Sequence, residues 1–365
     1  MSVETLFRPF KHPKLSLSNR TVMAPMTRGF SPGGVPGADV AEYYRKRVEG
    51  GVGLIVSEGT LINHPAACDS TNYPQFHGEP ALAGWKGIID TVHAAGGKMV
   101  PQIWHIGSTR RPGKGPVPEA PTVSPSGLVM PGKKLFEPLS LEEIESLVSA
   151  YAEAAADAQA LGFDGVEIHG AHGYLIDQFF WAGLNQREDR YGGSLRNRLE
   201  FAIEIIRSIR EKCGEAFPII LRWSQWKQQD YDAKLAENPD ELQQFLEPLS
   251  EAGVDIFHCS QRRFWEPEFD GSDLNLAGWT QQITDKPAIS VGSVGLDAEF
   301  TGAFRGQGAG LAKIDELIRR MENGEFELIA LGRALLSNPD WVAKVQAGQF
   351  DQLKPFTHED REVLR

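Results

Sequence analysis

The sequence predicts an α/β fold, the (β/α)8 or TIM barrel, in which eight parallel strands close into a ring and a helix follows each strand. Two observations lead to this prediction. Short apolar runs recur eight times along the chain, and most are followed by a longer stretch whose apolar residues have helical spacing. Most of the runs lack polar alternation, which is typical of parallel strands covered on both faces.

Eight runs are predicted to be strands. In chain order they are 21–26, 52–59, 98–105, 165–170, 218–224, 254–260, 287–293 and 326–332. A doubly wound sheet is the alternative, but it would more often have five or six strands and a glycine-rich phosphate turn after the first one. The segment "TRGFSPGGVPG" (27–37) follows the first run and does not have the GxGxxG spacing. We therefore expect the barrel, as one domain over residues 1–365.

The helices between these strands have recognisable ends. Their predicted extents are 38–50, 81–97, 140–162, 194–214, 238–253, 310–324 and 334–348. Ser140 with Glu143 three residues later has the capping-box pattern of a helix start, and Gly50 is a plausible helix stop. Pro248 is expected to kink the helix at 238–253 or to divide it.

One long segment, 111–138, has no predicted helix or strand and contains seven prolines. A segment of this length in a compact domain is usually functional or disordered. It follows the third strand and would therefore lie on the carboxyl-terminal face of the barrel, where active sites are found. We interpret it as a partial lid.

Composition and charge exclude several classes of protein. The formal net charge of −12 argues against a general nucleic-acid binder, which needs a basic surface. The cysteines, Cys68, Cys213 and Cys259, form no CxxC pair, so neither a disulfide framework nor a structural zinc site is expected. The first residues lack the apolar core of a signal peptide, and no run is long enough to span a membrane. We expect a cytoplasmic protein.

Polar residues and glycines follow the strands at the end where barrels place their functional groups. They are Thr27, Glu58, Gly59, Gln102, Trp104, His105, His169, His172, Tyr174, Arg222, Gly292, Ser293, Gly332 and Arg333. Glycines after the seventh and eighth strands are where barrels bind phosphate, and Arg333 would add a charged contact. Gln102 can donate and accept at the edge of a heterocycle, and Arg222 suits a ring that becomes anionic on reduction. A phosphate and a planar ring with polar edges indicate FMN.

Longer motifs then resemble those of the old yellow enzyme family of FMN-dependent ene-reductases, from about Leu6 to Leu353. They are "NRTVMAPMTR" (19–28), "PQIWHIG" (101–107), "GFDGVEIHGAHGYLIDQF" (162–179), "NQREDRYGGSLRNR" (185–198), "VGSVG" (291–295) and "IALGRALLSNPDW" (329–341). The resemblance implies a non-covalent FMN, since no second nucleotide cradle for FAD is visible. It also implies a ping-pong reaction, in which NAD(P)H reduces the flavin and hydride then passes from N5 to the β-carbon of an α,β-unsaturated carbonyl or nitro compound.

The resemblance assigns roles residue by residue. Cofactor contacts fall on Pro25, Met26, Thr27, Gly59, Gln102, Arg222, Gly292, Ser293, Gly332 and Arg333. His169 and His172 match the pair that hydrogen-bonds the substrate oxygen, and Tyr174 matches the donor that protonates the α-carbon. Trp104 would be a wall of the substrate site. The partners are small activated alkenes, and the chain is expected to be a monomer or a homodimer.

Two departures from the family pattern concern the pocket. The family usually has an aliphatic residue and then Ser-Pro after the arginine of the fifth strand, where this chain has "RWSQWKQQDY" (222–231). Trp223 and Trp226 are therefore expected to reshape a pocket wall. One branch of the family has a cysteine where Thr27 stands, so tuning of the flavin by a thiol is in doubt here.

Other interpretations stay open at this point. His169 and His172 could bind zinc or pack in the core, although no HExxH motif or carboxylate pair accompanies them. A phosphate- or flavin-binding barrel of other chemistry is the alternative function, either aldolase-like or a non-catalytic binding protein. An aldolase needs a Schiff-base lysine, and the eight runs carry only Lys98, at the far end of the third strand. His12, His64, His77, His93 and His258 are interpreted as structural or surface residues, and His105 is left open.

Overall fold

Eight parallel strands close into a barrel in the computed structural model, which describes residues 2–365. They are β1 (Thr21–Met23), β2 (Leu54–Leu61), β3 (Met99–Trp104), β4 (Val166–His172), β5 (Ile219–Lys227), β6 (Ile256–Ser260), β7 (Ala288–Val291) and β8 (Leu328–Leu331). Each strand pairs with the next in the sequence, and β8 pairs with β1 through Ile329 and Thr21. The predicted (β/α)8 barrel is confirmed.

The inside of the barrel is filled by apolar side chains near the starts of the strands. One buried cluster joins the side chains of Val22, Leu54, Val100, Ile220, Ile256, Ile289 and Leu328. A two-stranded hairpin, Phe10–Lys11 with Ser16–Leu17, adds Phe10 and Leu17 to the same cluster. Packing therefore closes this end of the barrel, and the opposite end is left for a ligand.

Helices cover the outside of the barrel. Eight of them are α1 (Ala38–Glu49), α2 (Glu79–Ala94), α3 (Leu141–Leu161), α4 (Glu200–Cys213), α5 (Pro239–Ala252), α6 (Leu276–Thr284), α7 (Asp315–Glu322) and α8 (Trp341–Gln346). Further short helices include Glu4–Phe7, Leu175–Phe180, Leu195–Arg198 and Arg333–Ser337. The predicted capping box of Ser140 and Glu143 starts α3, and Gly50 ends α1.

Three helix predictions need correction, and one of them is the helix predicted over 194–214, which is two helices, Leu195–Arg198 and α4. Pro248 does not divide α5, because the buried side chains of Phe245, Leu246 and Leu249 hold the helix against the protein on both sides of the proline. The helix predicted over 334–348 is two helices, Arg333–Ser337 and α8. Pro339 explains the break, because the residue before a proline is disfavoured in the helical conformation.

The long segment after β3 is more ordered than predicted. It contains a 3-10 turn at Gly107–Thr109 and a small hairpin, Leu128–Met130 with Lys133–Lys134. The buried Arg110 guanidinium donates to the carbonyls of Lys114, Val117 and Ala120 at 2.8 to 3.0 Å. The Arg110 side chain therefore holds the proline-rich part of the segment in place through these hydrogen bonds.

None of the helices within residues 2–365 combines the length and the apolar character that a membrane-spanning helix requires.

Candidate active site

A cavity of about 600 Å³ opens at the carboxyl-terminal end of the barrel. Every residue predicted to contact cofactor or substrate lies on its wall: Pro25, Met26, Thr27, Gly59, Gln102, Trp104, His169, His172, Tyr174, Arg222, Gly292, Ser293, Gly332 and Arg333. The structure therefore brings the predicted residues together, because the ends of all the strands except β6 deliver one or more of them to the same space.

The cavity is electropositive although the protein is acidic. Among the described residues of its wall, four are arginines, namely Arg28, Arg222, Arg333 and Arg361, and none is an aspartate or a glutamate. The chain as a whole has a formal net charge of −12. Such a local excess of positive charge favours an anionic ligand.

One part of the wall has the backbone and side chains expected around a phosphate. Gly292 has φ 154°, and a Cβ atom there would lie 2.9 Å from the Gln261 carbonyl oxygen, so glycine is required. Ser293 follows with φ 54°. The Arg333 guanidinium lies 3.2 Å from the Glu299 carbonyl oxygen and 3.4 Å from the Ser293 hydroxyl. Tight turns and an arginine at this position fit an oxyanion.

Arg361 was not predicted from the sequence. It stands in a 3-10 turn, His358–Arg361, beyond the last predicted helix, and donates to the Ala303 carbonyl at 3.0 Å. Arg28 ties the same terminal segment to the end of β1 by donating to the carbonyls of Arg361 and Val363. No spacing in the sequence signals a contact between the first strand and the last residues of the chain.

A second part of the wall carries the histidine pair and the tyrosine. The ring centroids of His169 and His172 are 5.2 Å apart, and that of Tyr174 lies 5.0 Å from His169. Burial, together with the positive charge of Arg222, holds the pKa of each imidazole well below its usual value. Burial raises the pKa of Tyr174 to about 12. Near neutral pH the cavity therefore presents two neutral imidazoles and a protonated phenol.

Trp104 lies beside this group and depends on Gly59. The Trp104 ring is stacked on His169 at 6.0 Å. A Cβ atom at position 59 would lie 2.4 Å from the Trp104 ring, so only glycine lets the indole lie against β2. Thus Gly59 positions an aromatic wall as well as lining the cavity itself.

A buried chain of hydrogen bonds runs beneath the cavity from Gln102 to Arg222. The Gln102 amide donates to Glu167 at 2.8 Å, and the other Glu167 oxygen lies 2.7 Å from Nδ1 of His258. Arg222 donates to Nε2 of His258 at 2.7 Å, and its Nε has no partner among the described residues. Burial lowers the pKa of Arg222 to about 10, so it stays a cation at neutral pH.

His258 is a buried structural residue, one of the two interpretations given to it from the sequence, and it contacts the site through Arg222 without lining the cavity. Burial and the neighbouring Arg222 lower the pKa of His258 to about 4, so it is neutral and bridges Glu167 to Arg222. Strand alternation could have indicated it, because His258 stands two residues before the strand-end Ser260 and therefore points to the same side. In the barrel His258 is in register with Arg222.

The two tryptophans of the fifth strand have different places. Trp226 lines the cavity and is stacked on His172, with ring centroids 4.3 Å apart. Trp223 is fully buried and packs against Phe245 in the layer between β5 and the helices. Of the pair that was expected to reshape the pocket, only Trp226 lies on its wall.

Glu58 and His105 stand at strand ends but are not part of the cavity wall as described. The Glu58 carboxylate accepts from the backbone N–H groups of Arg28 and Gly29 at 2.8 and 3.0 Å, which holds the segment after β1. Nε2 of the buried His105 lies 2.9 Å from Nδ1 of the partly buried His64, and the two rings form a separate pair.

The expectation that 111–138 forms a partial lid is not supported. The described residues that line the large cavity include none from this segment, whereas Pro116 and Val117 line a separate cavity of about 200 Å³. The contacts of Arg110 and Arg187 explain this, because they hold the segment by its carbonyls against the side of the barrel.

The structure also bears on the two open alternatives. No group of three or more histidine, cysteine, aspartate or glutamate side chains in residues 2–365 is arranged to hold a metal ion. β5 extends beyond its predicted run to Lys227, a lysine that the predicted runs did not include. The Lys227 ammonium is fully buried in an ion pair with Asp177 at 2.7 Å and does not line the cavity. It is therefore not placed as a Schiff-base lysine would be.

Comparisons with known proteins find a family and relatives that match nearly the whole of this chain. The profile of the NADH:flavin oxidoreductase / NADH oxidase family matches residues 5–352. The chain is 32% identical over 352 residues to 12-oxophytodienoate reductase 7 of Oryza sativa subsp. japonica, which covers 93% of this chain and 87% of that protein.

Solved structures agree with the sequence matches. Morphinone reductase in complex with tetrahydroNAD superposes with a TM-score of 0.78 at 28% identity, covering 96% of this chain and 92% of that one. The old yellow enzyme homologue from Zymomonas mobilis gives a TM-score of 0.79 at 26% identity, covering 98% and 96%. The likeness thus includes the barrel and the strand ends that form the cavity.

Proposed function

The chain belongs to the NADH:flavin oxidoreductase / NADH oxidase family, which includes the old yellow enzymes, and on this premise we propose that it is an FMN-dependent ene-reductase. In this proposal residues 1–365 form one FMN-binding barrel domain. NAD(P)H is the reductant, and the substrates are small α,β-unsaturated carbonyl or nitro compounds.

The observation that carries the proposal is the meeting of two neutral imidazoles and one protonated phenol on the wall of a cavity that also holds four arginines. An anionic cofactor matches the arginines, and a substrate with one acceptor oxygen matches the hydrogen-bond donors. Neither feature alone would select this chemistry, because phosphate-binding barrels are common.

The positive charge of the cavity and the residues on its wall support the choice of FMN. Gly292, Ser293, Gly332 and Arg333 would hold the phosphate, and Pro25, Met26, Thr27 and Gly59 would lie along the ring. Gln102 and the cationic Arg222, whose Nε has no hydrogen-bond partner within the described part of the chain, would face its polar edge. The bound flavin would supply the redox chemistry, the transfer of hydride from NAD(P)H to the β-carbon of the alkene.

The chain itself would bind the substrate and deliver the proton. His169 and His172 donate to the carbonyl or nitro oxygen and stabilise the negative charge that develops there. Tyr174 gives its phenolic proton to the α-carbon, since burial keeps that proton in place at neutral pH. Trp104 forms a flat wall beside His169.

Identification of the released cofactor tests the first half of the proposal. The purified protein is denatured and the supernatant is analysed by chromatography against FMN, FAD and riboflavin standards. We expect FMN in the supernatant and no flavin in the precipitate. Released FAD, a flavin that stays with the polypeptide, or the absence of flavin after reconstitution with FMN would reject the proposal.

Anaerobic stopped-flow tests the second half. NADH and NADPH are each mixed with the FMN-loaded protein, and the reduced protein is then mixed with 2-cyclohexenone. We expect reduction by at least one nicotinamide and reoxidation by the enone with formation of cyclohexanone. A protein that is reduced but is reoxidised only by oxygen would be a flavin oxidoreductase without the proposed alkene chemistry.

A further inference from the structure

Ser260, the last residue of β6, contacts three functional side chains at once. Its hydroxyl lies 2.7 Å from Nε2 of His172 and accepts from the Arg222 guanidinium at 3.2 Å. Its backbone carbonyl accepts from the Trp226 indole N–H at 3.0 Å. The side chain of Ser260 is 3% exposed and lines the cavity. Ser260 is thus placed to influence the orientation and the proton position of the His172 ring.

The direction of each hydrogen bond follows from what the groups can donate. Arginine only donates, so the bond from Arg222 uses a lone pair of the Ser260 hydroxyl. The hydroxyl proton then needs an acceptor, and within the described residues the atom in reach is Nε2 of His172. If Nε2 carried a proton instead, the hydroxyl proton would be left without an acceptor among those residues.

We propose that Ser260 fixes His172 in the tautomer that carries its proton on Nδ1. Ser260 donates to the bare Nε2, and the Nδ1–H group stays available to a ligand in the cavity. Trp226 keeps the ring in the matching plane, since the indole is stacked on the imidazole with an angle of 18° between the planes. Ser260 is a positioning residue, because it acts through His172.

The orientation continues the buried chain beneath the cavity. His258 is neutral and faces Glu167 with Nδ1, so it donates to the carboxylate there and accepts from Arg222 at Nε2. Arg222 in turn donates to the Ser260 hydroxyl, and that hydroxyl donates to Nε2 of His172. Each of these hydrogen bonds has one donor and one acceptor, so the direction of donation at Arg222 sets the direction at Ser260 and then the tautomer of His172.

His169 is fixed differently. Its Nδ1 accepts from the backbone N–H of Ala171 at 3.4 Å, so its proton is on Nε2. The pair would then present Nε2–H from His169 and Nδ1–H from His172. Two donors that converge from rings at 86° to each other suit one acceptor oxygen. This use of the donors rests on the proposed function, whereas the tautomer of His172 does not.

Nitrogen NMR of the FMN-loaded protein labelled with 15N-histidine tests the proposal. Protonated and bare ring nitrogens resonate far apart, and their couplings to Hδ2 and Hε1 show which nitrogen is which. A His172→Gln variant assigns the signals. We expect Nδ1–H for His172 in the wild type. An Nε2–H tautomer in the wild type would overturn the proposal, whatever the variants do.

Ser260→Ala, Ser260→Thr and Ser290→Ala extend the test. Ser290 is a matched control, because it is equally buried on β7 and in register with Cys259 next to Ser260. We expect Ser260→Ala to give a mixture of tautomers and to weaken phenol binding roughly tenfold, since a bond to a charged oxygen is impaired. The threonine variant should restore both readouts, and Ser290→Ala should change neither. An unchanged tautomer in Ser260→Ala would overturn the proposal.

The tautomer measurement also separates this inference from the proposed function. The protein could fail to reduce enones while His172 carries its proton on Nδ1 and loses that preference in Ser260→Ala. That result would reject only the proposed function. If enone reduction were normal and His172 carried its proton on Nε2, only the inference would fall.

Discussion

At the scale of single residues, the proton of Tyr174 distinguishes alkene reduction from other uses of the cavity. Burial raises the pKa of Tyr174 to about 12, so the phenol is a weak acid that keeps its proton until a carbanion-like carbon forms beside it. Flavin reduction by a nicotinamide requires no such proton. The two half-reactions should therefore respond differently to loss of the hydroxyl.

We expect Tyr174→Phe to bind flavin and to be reduced by the nicotinamide at the wild-type rate. Its reoxidation by 2-cyclohexenone should slow by about 10²–10⁴, the usual contribution of a general acid. Reoxidation by benzoquinone should be nearly unaffected, because oxygen is protonated there and water can supply the proton. Stopped-flow traces with the two acceptors measure the difference. Tyr231→Phe, on the neighbouring loop, is the control.

Equal slowing with both acceptors would mean that the phenol positions ligands and does not supply the proton. If neither acceptor were slowed, Tyr174 would have no part in the reaction, and the carbon would have to be protonated by solvent.

At the scale of elements, the turn that carries Tyr174 rests on a buried ion pair between the fourth and fifth strand ends. Asp177 lies 2.7 Å from the Lys227 ammonium, and its other oxygen accepts from the N–H of Gly173 at 2.7 Å. Both charged side chains are 0% exposed. Gly173 has φ 77° and directly precedes Tyr174, so the carboxylate fixes the backbone from which the phenol projects.

We predict that Lys227→Met lowers the free energy of unfolding by roughly 3–5 kcal/mol, since it leaves a buried carboxylate without its partner. Adding Asp177→Asn should recover much of this loss, because the amide oxygen can still accept from Gly173 without a charge. Urea unfolding of the wild type and the two variants measures both steps. A double variant that is no more stable than Lys227→Met would show that the pair stabilises by packing and not by charge.

The elements also show what the sequence could and could not predict. The barrel and the wall of the cavity were predictable, because parallel strands in a closed ring bring their carboxyl-terminal ends to the same rim whatever the pairing register between neighbouring strands. The link from Glu167 through His258 to Arg222 depends on that register, which apolar runs do not define. The path of 111–138 depends on Arg110, and an arginine that binds backbone carbonyls leaves no pattern in the sequence.

At the scale of the whole molecule, buried titratable groups couple stability to pH in opposite senses. Burial lowers the pKa of His12 and His77 and, more strongly, the pKa of five further histidines, which are His64, His105, His169, His172 and His258; it is about 4 for His64 and His258. Burial raises the pKa of Asp157 and, more strongly, the pKa of three further carboxyl groups, to about 7 for Glu58 and Glu268 and to about 6 for Asp177. The balance between the two sets decides the direction of the pH dependence.

Between pH 5 and 6 the unfolded chain holds a proton on each of the five histidines, whereas the folded protein holds one on each of the three carboxyl groups. The unfolded state therefore binds two more protons, and stability rises with pH in this range by roughly 3 kcal/mol per pH unit. We expect the free energy of unfolding, measured with urea, to be lower at pH 5 than at pH 6. His64→Gln removes one of the five histidines at a distance from the cavity, so it should reduce the slope by about 1.4 kcal/mol per pH unit. A stability that is flat or rises as the pH falls from 6 to 5 would mean that the buried carboxyl groups, and not the neutral histidines, dominate the proton balance of the fold.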